Sequence, residues 1–235
     1  MSRAQPICRR LHDIEPVSCP CGESRRIITA ADDAVVGLHV TSICDAAAHY
    51  HRRTIELYYV LEGSGLLTVH GSRHEVAPGL VAYIPPGCVH RGEGDFTAAI
   101  VCLPPFSPED EFLLEPGAPL PCPRCAPVFR RRSDVEPVRS ACGSSTRIIT
   151  RDDEVAVGLH VVHIREAERH YHTRITEVYH ILEGVGRLAV GEQSFELEPG
   201  VTVYIPAGLT HGGEGDFTSI VICVPPFDPA DQIVV

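Results

Sequence analysis

No apolar run in this 235-residue sequence approaches the roughly 20 residues that a membrane-spanning helix needs, so no membrane association is expected. Basic residues are in short supply. Twenty lysines and arginines face 31 aspartates and glutamates, and the formal net charge of -11 opposes binding to a phosphate backbone, so nucleic acid is not an expected partner. The one basic run, Arg130, Arg131 and Arg132, lies in a stretch that reads as linker and suggests a solvated patch or salt-bridge partners. The opening residues MSRAQPICRRLHDIEP have no apolar stretch behind their charges and do not read as a secretory signal, so a cytoplasmic location is expected. Long helices are also missing; only PEDEFLLE, from Pro108, has the pattern for a helical turn or two. What remains, 44% hydrophobic and 22% charged, is the composition of a soluble globular protein.

The dominant positive feature is self-similarity. RRIITAADDAVVGLHV from Arg25 returns as TRIITRDDEVAVGLHV from Thr146, and GEGDFT from Gly92 returns from Gly213. LPPFSPED from Leu103 becomes VPPFDPAD from Val224. The spacing from His49 to His170 equals that from His90 to His211, so the copies are related without net insertion. A period this long indicates a duplicated domain rather than a solenoid. The seam, EPGAPLPCPRCAP, is proline-rich and aperiodic. The expected division is therefore a first domain over residues 1–114, a linker over 115–128 and a second domain over 129–235.

Within each copy the pattern is all-β. Short stretches rich in Val, Ile, Leu, Thr and Tyr (TIELYYVLEG, GLLTVHG, HEVAPG, LVAYIPPG, FTAAIVCLPP) are punctuated by glycine or proline turns, which suggests a sandwich or barrel. Gly63 to Gly65 and Gly71 are placed where hairpins are expected to reverse.

The chemistry sits in HYHRRTIELYYVLEG and PGLVAYIPPGCVH. The period-2 geometry of a strand puts His49 and His51 on one face with Tyr50 pointing away, and Glu56 and Tyr58 on one face of the next strand. His90 follows the rigid turn Pro85-Pro86-Gly87, which can bring its imidazole back toward the barrel. The second copy repeats every element as His170, His172, Glu177, Tyr179 and His211 after Pro206-Ala207-Gly208. Three neutral imidazoles and one carboxylate make a borderline donor set suited to Fe, Mn, Ni, Zn, Co or Cu, one ion per domain.

This pair of motifs resembles the cupin superfamily. His49, His51, Glu56 and Gly63 fit its first motif, and Gly79, Pro85, Gly87 and His90 its second; His170, His172, Glu177, Gly184, Gly200, Pro206, Gly208 and His211 fit both again. The resemblance implies two tandem antiparallel jelly-roll (cupin) β-barrels, a bicupin, with a metal inside each barrel. One position departs: the family's second motif usually ends in Asn four residues after the histidine, where Gly94 and Gly215 stand. That place supports a turn rather than the metal.

Other candidates carry two readings each. Tyr58 and Tyr179 are the candidate catalytic residues, as hydrogen-bond donors to substrate, or else aromatic core fillers. Arg26 and Arg147 read first as outward salt-bridge partners and second as clamps on a substrate carboxylate. His39 and His160 recur, with their facing unsettled; Cys88, matched by Leu209, reads as packing. The ten cysteines do not form a disulfide framework, and reduced thiols are expected. A four-thiolate zinc site from Cys19, Cys21, Cys122 and Cys125 is a minor alternative.

Four protein ligands on a six-coordinate ion leave two positions for water or substrate. The expectation is thus a metal-dependent enzyme acting on a small molecule. Chemistry like that of the dioxygenase-type cupins is slightly preferred, with sugar or keto-acid isomerisation next. The alternative is a non-catalytic, metal-organised binder of a sugar or carboxylate, and a storage-type structural role ranks below both. Assembly is expected as a monomer, already a pseudo-dimer of domains, or as a homodimer. Protein purified without added metal should carry close to two divalent ions per chain by elemental analysis; a folded, metal-free protein would remove this premise.

Overall fold

A computed structural model describes residues 5–115, 117–123 and 125–235. Residues 1–4 of the expected first domain, and residues 116 and 124 of the expected linker, lie outside the described residues. The described chain is built from antiparallel strands and short 3-10 turns, and it forms two compact units. The all-β jelly-roll expectation holds for both.

The first unit spans Ile14–Arg131. Its sheet runs Val128–Arg131, Leu80–Ile84, Ile55–Val69, His90–Leu103, Gly37–Asp45, Gly22–Ile28 and Val17–Cys19, all antiparallel. Ser72–Val76 pairs with Ile55–Val69, and His49–His51 pairs with both His90–Leu103 and Glu111–Leu113. Alternation along the strands fills the barrel: Leu80, Ala82 and Ile84 from one strand meet Tyr58 and Val60 from the next and Ala98, Ile100 and Cys102 from the third. The second unit repeats the order as Ile7–Arg10, Val201–Ile205, Thr176–Val190, His211–Val224, Gly158–Glu166, Gly143–Ile149 and Val138–Ser140.

The contacts divide the chain differently from the expected 1–114, 115–128 and 129–235. The second unit comprises Arg132–Val235 together with the described residues up to Asp13, because Ile7–Arg10 pairs with Val201–Ile205 and Cys8 packs against that unit's core. In the first unit, Val128–Arg131 pairs with Leu80–Ile84, so the arginine run is not linker: Arg130 and Arg131 belong to a strand. Each barrel thus takes its last strand from outside its own repeat, a pairing that composition and turn signals do not encode. PEDEFLLE forms only a 3-10 turn, Pro108–Asp110, before the strand Glu111–Leu113.

The expected reversal at Gly63 to Gly65 is not a hairpin. Ile55–Val69 runs straight through it, and the sheet shifts register by a bulge between Val60 and Glu62. Gly63 adopts φ +85° there, and a Cβ would collide with the Asp95 carbonyl oxygen. Gly71, at φ +86°, does turn the hairpin into Ser72–Val76. Gly94 faces Gly65 across the ladder at φ +114°; a Cβ on it would lie 2.6 Å from Gly65 Cα and 2.7 Å from the Ser64 carbonyl oxygen. This contact explains why glycine replaces the expected asparagine.

Two substitutions separate backbone conformation from close packing. Gly71→Ala, with open space around the new methyl, should lose about 1 kcal/mol. Gly94→Ala should lose about 2–4 kcal/mol because it adds a steric collision to the same backbone penalty. Equal losses in urea denaturation would refute the packing argument.

Candidate metal centres

The ligand strand His49–His51 lies against the start of the long strand His90–Leu103, with His49 bridged to His90. Tyr50 points the other way and stacks on Phe112 at 5.4 Å, so alternation sends both histidines inward. Glu56 stands second in Ile55–Val69, a short loop away. The turn before His90 is fastened to the same ligand strand: the Gly87 amide donates to the His51 carbonyl at 2.8 Å, and Gly208 to His172 at 2.6 Å. A left-handed Gly87, φ +87°, lets the chain make that approach.

As expected from the motifs, the structure brings His49, His51, Glu56 and His90 together, and likewise His170, His172, Glu177 and His211. In each group the donor atoms lie within 4.8 Å of one another, and every one of the eight residues is buried. Backbone carbonyls set the ring orientation. Nδ1 of His49, His51 and His90 donates to Ala47, Asp110 and Cys88 at 2.9, 2.9 and 3.1 Å. His170, His172 and His211 do the same toward Glu168, Asp231 and Leu209 at 2.8, 3.1 and 2.9 Å. With Nδ1 carrying the proton, each Nε2 presents a lone pair to the centre.

There the carboxylate waits at short range. His90 Nε2 is 2.8 Å and His51 Nε2 3.5 Å from Glu56; the second unit gives 3.0 Å for His211 and 3.5 Å for His172 to Glu177. Yet Nε2 of His51, His90, His172 and His211 makes no directed hydrogen bond among the described residues. In each unit two buried Nε2 lone pairs converge on the carboxylate without such a hydrogen bond, an arrangement that fits a divalent transition metal.

The electrostatics agree. Burial, with His90 beside it, drives His49 down to about 3. Burial also opposes a charged His51, but the Glu56 carboxylate outweighs it and raises that ring to about 9. Glu56 itself is held well below the usual carboxylate range, against burial, by His51 and His90; Glu177 falls to about 2 with His211 and His172 around it. The field that draws a proton onto an imidazole is the field that would favour a cation in its place.

Each centre opens into a small cavity of about 40 Å³. Arg26 and Arg147 line these cavities, which corrects the outward salt-bridge reading. Their guanidinium groups lie over Phe106 and Phe227, 4.9 and 5.1 Å from the ring centroids, and their buried Nε atoms have no hydrogen-bond partner among the described residues. His39 and His160 also face inward, edge-on to the same rings; burial and the adjacent arginine lower both to about 4, so they are neutral at physiological pH. Tyr58 and Tyr179 line the cavities as well. The Tyr58 hydroxyl donates to Glu56 at 3.4 Å, and burial together with that carboxylate pushes its ionisation well above the ordinary phenol value. Its proton is therefore committed to a candidate ligand.

The thiols do not assemble into the alternative zinc site. Cys19 and Cys21 border the first cavity, Cys122 and Cys125 are exposed, and the two histidine–glutamate sets are the only metal-competent groups among the described residues. Cys88 packs in the core as expected.

Sequence reasoning missed the residues that brace the ligands. The Asp110 carboxylate, 2% exposed, accepts the amides of Arg52, Arg53 and Thr54 and the Thr54 hydroxyl at 3.2, 3.1, 2.9 and 2.8 Å, while its carbonyl holds His51. Asp231 does the same for Thr173, Arg174, Ile175 and His172. Glu111, paired across from His51 and lining the first cavity, was also overlooked, as were Phe106 and Phe227. The duplicated PPF…D segments contained the signal for the aspartates and phenylalanines; no motif marked Glu111.

Comparison with known proteins agrees with this architecture. The cupin domain model matches residues 43–104 and 160–225. An uncharacterized protein of Methanocaldococcus jannaschii is 42% identical over 71 residues, 28% of this chain and 57% of its own length, so the match spans little more than half of that relative. The L-ectoine synthase of Mycolicibacterium gilvum is 33% identical over 89 residues, 36% of this chain and 67% of that protein. Among solved structures, the oxalate decarboxylase of Lactobacillus farciminis in its formate complex superposes with TM-score 0.80 at 14% identity, covering 100% of this chain and 90% of that one. A Bacillus subtilis oxalate decarboxylase, studied for its Mn(II) centres, gives 0.78 at 14% identity over 100% and 80%. At such identities the structural likeness concerns the fold.

The bracing aspartates carry a pH signature. Burial alone would raise them, but the hydrogen bonds from Thr54 and Thr173 and the adjacent amides hold both low, Asp231 at about 2. A depressed folded value means that this stabilisation is complete above the ordinary carboxyl range and fades as pH falls toward 2. Asp231→Asn should therefore lower the melting temperature at neutral pH and flatten the acid limb of the stability curve. It should also weaken metal binding roughly 10-fold by loosening the loop over residues 173–175, and with it the position of the Asp231 carbonyl that orients His172. An unchanged acid limb would contradict the assignment.

Proposed function

The chain belongs to the cupin family, and we propose that it is a metal-dependent enzyme acting on a small carboxylate within its barrels. The observation that carries this reading is the juxtaposition, in each cavity, of the three-histidine, one-glutamate centre with an arginine whose buried Nε lacks a partner among the described residues. A guanidinium left partly unsatisfied beside a cation site is suited to an anion that reaches both.

A cavity of about 40 Å³ admits only a small molecule. Within it, Phe106 or Phe227 supports the guanidinium plane, which would hold a carboxylate in one orientation. Neutral His39 and His160 offer a hydrogen bond without adding charge. Tyr58 holds Glu56 ionised and in place, and its role is that of a positioning residue. The metal, when bound, would supply Lewis acidity or one-electron chemistry. Oxidative chemistry of the dioxygenase type is the preferred form, with decarboxylation or isomerisation of the same substrate class beside it. The likeness in fold to oxalate decarboxylases supports a carboxylate ligand without transferring their substrate.

Arg26→Ala and Arg147→Ala together should weaken binding of small carboxylates by about 10-fold or more in calorimetry while leaving metal content and the affinity for the corresponding neutral amides unchanged. Retained carboxylate affinity would sink the substrate class. Oxygen uptake by Fe(II)-loaded protein across small keto acids and dicarboxylic acids tests the oxidative form; uptake with none of them, alongside tight binding, would favour the non-catalytic binder.

A further inference from the structure

We propose that the two cavities select ligands by charge: the second unit's cavity is the anion site, whereas Glu111 disfavours simple anions in the first. This rests on the reading that Arg26 and Arg147 face the ligand.

The duplication supplies the control. Arg26, His39, Tyr58 and Phe106 recur around the second cavity as Arg147, His160, Tyr179 and Phe227. The polar differences lie at three places on the lining, one of which, Thr41 against Val162, carries no charge and has its hydroxyl bonded to Ser24 at 3.0 Å. Where the first cavity has Glu111 the second has Gln232, and where the first has Cys19 the second has Ser140. Both exchanges replace an ionisable acid with a neutral group of similar size.

Glu111 begins the strand Glu111–Leu113, opposite His51, and is half-buried at the cavity. It makes no ion pair with Arg26 among the described residues, so its charge reaches a ligand through the cavity instead of being spent on the guanidinium. Cys19 lies in Cys19-Pro20-Cys21-Gly22, where the sheet turns from Val17–Cys19 into Gly22–Ile28. The neighbouring Cys21 thiol lowers its ionisation to about 6 against the effect of burial. Ser140, at the same turn of the second unit, spends its hydroxyl on the Gly143 carbonyl at 3.3 Å.

The first cavity thus sets Glu56 and Glu111 against Arg26. The second sets Glu177 alone against Arg147. A like charge a few ångströms from a bound carboxylate, in a partly desolvated cavity, is expected to cost on the order of 10-fold in affinity. The first cavity is left to ligands that are neutral or bring a positive group of their own, such as an ammonium that can meet Glu111.

The test uses the full chain loaded with Co(II), its metal content checked by elemental analysis, and titrated with malonate at slightly alkaline pH while the visible ligand-field bands are followed. The native protein should respond in two phases of similar amplitude, separated by about 10-fold in concentration. Glu111→Gln, which gives the first cavity the carboxylate count of the second, should merge them into one tight phase. The reciprocal Gln232→Glu should merge them into one weak phase. A single phase in the native protein, or two phases that neither exchange moves, overturns the proposal while leaving the carboxylate reading intact. No response in any variant, with both metals bound, overturns both.

Discussion

The structure of each unit turns on one buried carboxylate. Glu56 and Glu177 lie at the bottom of their barrels, ionised, each within 3.5 Å of two imidazoles. A buried negative charge is tolerable only if its surroundings are arranged for it. The arrangement begins with backbone carbonyls that take the Nδ1 protons of three histidines and thereby aim three lone pairs at one point. It continues in Asp110 and Asp231, whose carboxylates tie down the loop after the ligand strand. It ends in the turn of Gly87 and Gly208, whose amide is bonded to the carbonyl of the middle histidine. Removing any of these leaves a ligand free to turn, which is why the bracing residues recur in both copies along with the ligands.

The duplication turns the protein into its own comparison. What both units share, the ligand set, the inward arginine on its phenylalanine and the neutral histidine beside it, is what the common chemistry requires. What they do not share lies on the linings of the cavities, chiefly in Glu111 against Gln232. Charge at those positions acts over several ångströms through a medium poorer in water than the bulk, so one exchange of Glu for Gln outweighs many substitutions on the outer surface. Two sites with one metal chemistry and different access are a natural outcome of that geometry.

Much of this was legible in advance. The motif spacing picked out the eight residues that the structure gathers into two candidate sites, and strand alternation sent His49 and His51 inward with Tyr50 out, because period-2 geometry is local and strict. Gly71 was read correctly as a hairpin turn, since a two-residue loop needs its left-handed conformation. Gly63 and Gly65 were misread because the same residue serves a bulge and a close approach of two strands, and only the partner strand distinguishes them. Arg26 was assigned outward on base expectations for arginine. Its inward position depends on Phe106, eighty residues away in sequence and brought beneath it by the sheet.

By itself, then, the sequence determined the quantities that depend on neighbours along the chain: all-β class, the duplication, the turn glycines and the two ligand sets. Tertiary structure decided what depends on partners distant in the chain. It assigned Ile7–Arg10 and Val128–Arg131 to barrels outside their own repeats, turned the arginines into the cavities and set Glu111 beside a candidate metal centre. Hydrogen bonding between strands and charge across a cavity act between residues that only the closed barrel brings within a few ångströms of each other. A linear pattern carries no record of that distance.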